Sequence, residues 1–170
     1  MQIWPFQRSR AEDDAQTLLI AATAAARRPE FFGEGRVPDT LEGRFEVLAL
    51  MGALALIRLQ AEAAARPLSQ AFTDRLFSSF DAGLREAGTG DTTVPKRMTT
   101  SAGAFYGRLE AYGAALAELP ALEAALARNI WRLESHQFAA PLAAYVATTA
   151  RAQATTPISA MFSAEGWPRL

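Results

Sequence analysis

Alanine fills 37 of the 170 positions, and this feature narrows the available folds furthest. Alanine is the best helix former and among the poorest strand formers. The apolar spacing points the same way. Met98, Ala102, Phe105, Leu109, Tyr112 and Leu116 alternate steps of four and three, the period of one helix face. Phe72, Leu76, Phe80 and Leu84 recur every four residues, with Phe77 beside them. The sequence offers no convincing strand pair and no internal repeat. The expected fold is all-α, an irregular bundle of about six helices.

Proline, glycine and charge set the expected boundaries. A first helix should run from about Ala11 to Arg28, with Glu12, Asp13 and Asp14 in its first turn and Arg27 and Arg28 in its last. Both placements suit the helix dipole, and Pro29 ends the helix. Two glycines and two prolines make 29–38 a loop, with Phe31 and Phe32 as its expected anchors. The second helix opens at Asp39-Thr-Leu-Glu42, with Asp39 as the expected cap and Glu42 as the acid of a capping box. It should continue to about Ala65 and be the central helix, because its two apolar stripes overlap. Further helices are expected from Pro67 to about Ala87, from Pro95 to about Leu116, from Pro120, and from Pro141 to about Ala150. The organisation read from this is an extension over 1–10 carrying Trp4 and Phe6, a helical domain over 11–151, and a tail over 152–170 carrying Phe162 and Trp167. Whether that tail packs or moves is left open at this level.

Composition excludes several chemistries. Without cysteine there are no disulfides, thiolate nucleophiles, iron–sulfur clusters or cysteine zinc sites. His136 is the single histidine, so two-histidine metal motifs are excluded as well. No metal and no cofactor is expected. The formal net charge of −1 argues against a strongly basic nucleic-acid binder, and no DNA partner is expected. The longest apolar run, Val47–Ile57, has eleven residues, whereas a membrane span needs about 20. The first ten residues lack the apolar core of a secretory signal. The expectation is a soluble, cytoplasmic protein, or one attached peripherally at the cytoplasmic face of the inner membrane.

The polar constellations carry little catalytic signal. His136 lies near a helix end, where a surface or capping role outweighs catalysis. Gly88, Gly90, Lys96 and Arg97 leave a phosphate cradle and a plain interhelical loop both open, without matching GxxxxGK[ST]. Gly103 and Gly107 each cost a helix about 1 kcal/mol relative to alanine. Close approach of another helix would offset that, whether an internal helix or one from a client. Arg44 and Glu46 flank Phe45, and Arg108 and Glu110 flank Leu109. All four read as ordinary solvated charges, each ion pair worth about 0–1 kcal/mol. No nucleophile–base pair stands out, so no catalytic residue is assigned and an enzyme is the least favoured class.

Separated segments together resemble the ubiquinol–cytochrome c chaperone family, helical assembly factors for cytochrome b of respiratory complex III. They are Phe31-Phe-Gly-Glu-Gly-Arg-Val-Pro-Asp-Thr-Leu-Glu-Gly-Arg-Phe-Glu46, then Phe72-Thr-Asp-Arg-Leu-Phe77 through Leu84-Arg-Glu86, then Gly88-Thr-Gly-Asp91, Lys96-Arg-Met98 and Phe105-Tyr-Gly-Arg-Leu-Glu-Ala-Tyr112. Together they span roughly residues 15–150, and the short chain looks like the alphaproteobacterial form. The resemblance implies a non-enzymatic chaperone that binds newly made cytochrome b. It also implies the ribosome, or a small partner protein, as further candidate partners. Arg44, Asp91, Lys96, Arg97, Tyr106 and Arg108 become candidates for the client-binding surface. Asp39, Gly43, Phe45, Gly103, Phe105 and Gly107 become structural motif positions, with Phe45 and Phe105 in the core. The segments at the start of the second helix, the loop after Gly88 and the fourth helix are expected to meet in one place. Two other classes stay open: a helical lipid- or quinone-binding protein with an internal apolar cavity, and a scaffold that dimerises through Trp4, Phe6, Phe162 and Trp167.

Overall fold

A computed structural model describes residues 9–86 and 94–170, with side chains described outside 94–101. Six α-helices account for most of it: α1 (Arg10–Ala26), α2 (Leu41–Gln60), α3 (Arg66–Glu86), α4 (Val94–Ala115), α5 (Leu119–Leu126) and α6 (Ala139–Thr155). Among the described residues there is no β-strand, only one isolated bridge between Phe32 and Val37. The all-α bundle follows from the spacing and the alanine content.

Helix α2 is the axis. It packs against α1, α3, α4 and α6, and its residues from Ala49 to Leu56 are all buried. That is why it tolerates apolar residues around its whole circumference. Close packing here depends on Gly52. A Cβ at that position would stand 2.6 Å from Leu76 Cδ2 of α3 and 3.5 Å from Phe105 of α4, so three helices converge on one missing side chain. Small residues admit such approaches at the cost of helix propensity.

The expected helix ends shift in three places. Helix α2 stops at Gln60, and a short 3₁₀ turn over Ala63–Ala65 leads into α3. Helix α5 ends at Leu126, and the chain continues as a π-helical turn over Ala127–Trp131. Arg132 closes that turn at φ 61°, the only positive φ of a non-glycine residue among those described. Helix α6 runs to Thr155, past the expected end at Ala150. The Arg58 side chain explains the extra turn. Its Nε donates to the Gln153 carbonyl at 2.6 Å and a terminal nitrogen donates to the Thr156 carbonyl at 3.1 Å. A cation is thereby placed on the unsatisfied carbonyls at a helix C-terminus.

The C-terminal segment packs. Met161 and Trp167 are fully buried, and the Trp167 indole N–H donates to the Met161 carbonyl at 2.9 Å. Arg28, just beyond α1, donates to the Pro168 carbonyl at 2.6 Å, and Glu30 pairs with Arg169. Residues 158–162 lie against α1. Trp167 is therefore not available as a dimerising aromatic, and Phe162 is itself partly buried on the core. Trp4 and Phe6 lie outside the described residues.

Candidate functional site

The loop before α2 is a folded unit. Phe31 and Val37 are fully buried, and the Val37 amide donates to the Phe31 carbonyl at 3.1 Å. Gly33 and Gly35 supply positive φ values of 123° and 69°, which L side chains rarely adopt. Phe31 sets its ring edge-on to Tyr145 of α6, with centroids 5.2 Å apart. The chain after α5 closes over this loop: the Trp131 indole donates to the Arg36 carbonyl at 3.1 Å, and Trp131 stacks on His136 at 4.0 Å. His136 Nδ1 accepts the Phe138 amide at 3.1 Å, so the single histidine holds the turn that leads into α6 without capping the helix.

The cap of α2 differs from the expectation. Thr40, not Asp39, is the N-cap, and its hydroxyl accepts the Gly43 amide at 3.1 Å. Asp39 instead accepts from Arg44 Nε at 2.7 Å, on the surface. That hydrogen bond, helped by the Arg44 charge, holds the Asp39 carboxyl below its ordinary pKa, and the same contact raises Arg44. Arg44 also lies over the Phe32 ring at 6.0 Å. Gly43 is required by packing: a Cβ there would collide with the Pro38 carbonyl oxygen.

Glu46 and Arg108 are not solvated charges. Arg108 of α4 binds Glu46 of α2 through two parallel hydrogen bonds, of 2.7 Å from Nε and 2.5 Å from a terminal nitrogen. Their side chains are only 4% and 8% exposed, Arg108 and Glu46 respectively. Arg108 also donates to the Ala104 carbonyl at 2.9 Å. Arg132, largely exposed, approaches the same Glu46 carboxylate at 3.5 Å from outside. The cluster ties α2, α4 and the turn after α5 together. It also removes Arg108 from the surface, so this candidate client contact is an internal strut. Tyr112 completes the cluster. Burial first, then the Glu46 charge, raises its hydroxyl far above the ordinary phenol range, and that hydroxyl has no hydrogen-bond partner in the chain.

Aromatic rings link this region to the surface. Phe45 and Phe80 lie 4.6 Å apart, Phe80 and Phe105 6.0 Å, and Phe77 contacts both Phe105 and Tyr106. Phe105 is fully buried and Phe45 partly buried against the core, as their motif positions imply. Tyr106 is half exposed, at 50%. It borders a depression of about 510 Å3, open to solvent, between α2 and α4. Ile57 and Gln60 line it from α2, and Leu109, Glu110 and Gly113 from α4. This opening is a surface groove, not the internal cavity that a lipid- or quinone-binding protein would need.

Of the two readings of Gly103 and Gly107, the internal approach is not seen among the described residues. A Cβ at either would meet nothing within 4 Å, so no described helix approaches them. The internal close approach belongs to Gly52. Among the remaining candidates, Arg44 and Tyr106 are on the surface. Asp91, Gly88 and Gly90 lie outside the described residues, and Lys96 and Arg97 sit on the first turns of α4 with side chains outside them. The start of α2 and α4 meet through Glu46 and Arg108, inside the bundle, whereas the loop after Gly88 and the Lys96 side chain lie outside the described residues. Glu46 and Glu110 read as solvated charges and Tyr112 as part of a helix face, so their places at this cluster and groove come from the structure, and Arg132 carries no sequence signal of its own.

Among the described residues, no group of three or more His, Asp or Glu could hold a metal ion. No described helix is long and apolar enough to cross a membrane.

The fold and its charged struts define a helical bundle with an open, largely apolar groove among the described residues. The chain belongs to the ubiquinol–cytochrome C chaperone family, whose profile matches residues 34–167. It is similar to the Cbp3 homolog from Brucella abortus, whose crystal structure superposes with a TM-score of 0.80. The two are 40% identical, over 91% of this chain and 88% of that one. No curated protein matches the chain. Family and structural likeness together make it a chaperone of complex III assembly.

Proposed function

We propose that this chaperone holds newly made cytochrome b until it is assembled into ubiquinol–cytochrome c reductase, without catalysing a reaction. The observation that carries the reading is Tyr106: a half-exposed aromatic, joined to the core through Phe77 and Phe105, at the edge of an open apolar groove in a member of this family. An exposed aromatic anchor beside an apolar groove is a standard way to seat an apolar segment. Arg44 is the proposed polar rim, with Asp91, Lys96 and Arg97 as further contacts. A holdase for a membrane protein works at the inner membrane's cytoplasmic face, where its client emerges.

The test is site-specific photocrosslinking in the native host from position 106, with a parallel probe at position 44. Capture of cytochrome b at position 106 is the expected result. Capture of no cytochrome b from either position, in folded and expressed variants, refutes the assignment of client.

A further inference from the structure

We infer that the exposed face of α4 and the groove beside it seat an apolar helix carrying one arginine or lysine, with Glu110 as the counter-charge. The inference rests on the holdase reading and specifies the segment that is held.

Three observations converge on α4. Gly103, Tyr106, Gly107, Glu110, Gly113 and Ala114 follow steps of three and four, so they form one continuous face of the helix. Every one of them is exposed. Glycine inside a helix costs about 1 kcal/mol relative to alanine, yet this face carries three. At Gly103 and Gly107 no described residue uses the space left open, because a Cβ there would meet nothing within 4 Å among the described residues. At Gly113 the nearest atoms, of Ile57, are an ordinary 3.9 Å from such a Cβ. The smoothness of the face is therefore not used by the described part of the bundle. Backbone approach of a second helix is what small residues at this spacing permit.

The groove supplies the second argument. Its walls are apolar at Ile57 and Leu109 and aromatic at Tyr106, with Gln60 at the edge. Glu110 is its single charged lining residue. Glu110 has no ion-pair partner among the described residues, and what sets it apart from other unpaired acids is its place in the groove wall. An apolar wall with one uncompensated acid is complementary to an apolar helix with one cation. It is unfavourable to a helix with an acid at the same place, because like charges brought together under a docked helix lose solvation without compensation.

The probes are labelled synthetic helices of about 20 residues, the length of an apolar span, built from Leu, Ala and Gly. One carries a central Arg, one a Gln and one a Glu. Binding to the full chain is read by fluorescence anisotropy in mild detergent. The Arg peptide should bind about three- to tenfold tighter than the Gln peptide, the range for a partly desolvated pair. Glu110→Gln should erase that preference, and Glu110→Arg should transfer it to the Glu peptide. Equal affinity for the Arg and Gln peptides, or a preference that survives Glu110→Gln, overturns the proposal. Gly107→Leu adds an independent check. Leucine there faces open space and raises helix propensity, so the fold stays intact while the face is blocked. All peptides should lose binding, and unchanged binding overturns the proposal. Crosslinking from position 44 separates the two levels. If Gly107→Leu and Glu110→Gln leave cytochrome b capture unchanged, the α4 face is refuted and the holdase reading stands. If the peptides discriminate as expected but cytochrome b is never captured, the α4 face stands and the client assignment falls.

Discussion

The Glu46–Arg108 pair yields a quantitative prediction because its two ends are unequally insured. Remove Glu46, as in Glu46→Leu, and Arg108 keeps only the Ala104 carbonyl inside the bundle. Arg132 loses its partner as well, but it is 69% exposed and returns to water. Breaking a buried pair from one side costs about 3–5 kcal/mol, and here the full range applies. Remove Arg108 instead, as in Arg108→Met, and Glu46 still has Arg132 at 3.5 Å. Arg132 can close that distance, so the loss should be smaller, about 2–3 kcal/mol. The double variant Glu46→Leu/Arg108→Met replaces both charges by apolar volume and should recover most of the stability, since such replacements are often neutral. Urea unfolding followed by far-UV circular dichroism gives the midpoint, and an unchanged slope certifies that stability and not compactness has moved. Adding Arg132→Ala to Arg108→Met should bring its loss up to that of Glu46→Leu. Strict additivity of the Glu46 and Arg108 effects would show that the two residues do not act as a pair.

Tyr112 gives a pH prediction. Its folded-state pKa is raised above the ordinary 10.0, so its contribution is fully present below that pH and is lost as pH rises past it, where the unfolded phenol ionises first. Tyr112→Phe should flatten the alkaline fall in stability, and at neutral pH it should change stability by less than about 1 kcal/mol, because the hydroxyl lacks a protein partner. Equilibrium unfolding from pH 8 to above about 10 checks both parts. The glycines should divide by location: Gly52→Ala pushes on Leu76 and should cost about 1–2 kcal/mol, whereas Gly107→Ala should stabilise by up to about 1 kcal/mol. Thermal unfolding of the two variants should therefore move in opposite directions. Thr40→Ala should lose about 1 kcal/mol of cap while Asp39→Ala leaves the unfolding midpoint nearly unchanged, as parallel denaturant curves would show.

How far the sequence could be read depends on whether a feature is written in one stretch of chain. The helices of α1 to α4 are local: spacing, prolines and alanine content place them within a few residues of their observed ends. The end of α6 is not local, because it is held by Arg58, almost a hundred positions earlier on α2. The cap falls on Thr40 and not Asp39 because two capping side chains stand next to each other, and only the backbone decides which oxygen reaches the free amide. The charges at 44, 46, 108 and 110 look alike along the chain. Three-dimensional packing separates them into an exposed cation paired with Asp39, a buried strut and a groove acid. Glycines 52 and 107 likewise have the same local signature and opposite surroundings. The resemblance carried the function further than periodicity did, because no spacing rule in this chain encodes a client.

The bond from Arg28 to the Pro168 carbonyl joins positions 140 apart. Helix α1 is made first, yet part of its buried face rests on residues 158–162. During synthesis at about 5–20 residues per second, that face waits several seconds for its cover. The assembly factor itself thus passes through a stage with apolar surface uncovered, and completes this part of its core only when residues 158–167 have left the ribosome. A chain cut short near residue 157 would not lose a dispensable appendage; it would remain in that unfinished, aggregation-prone stage.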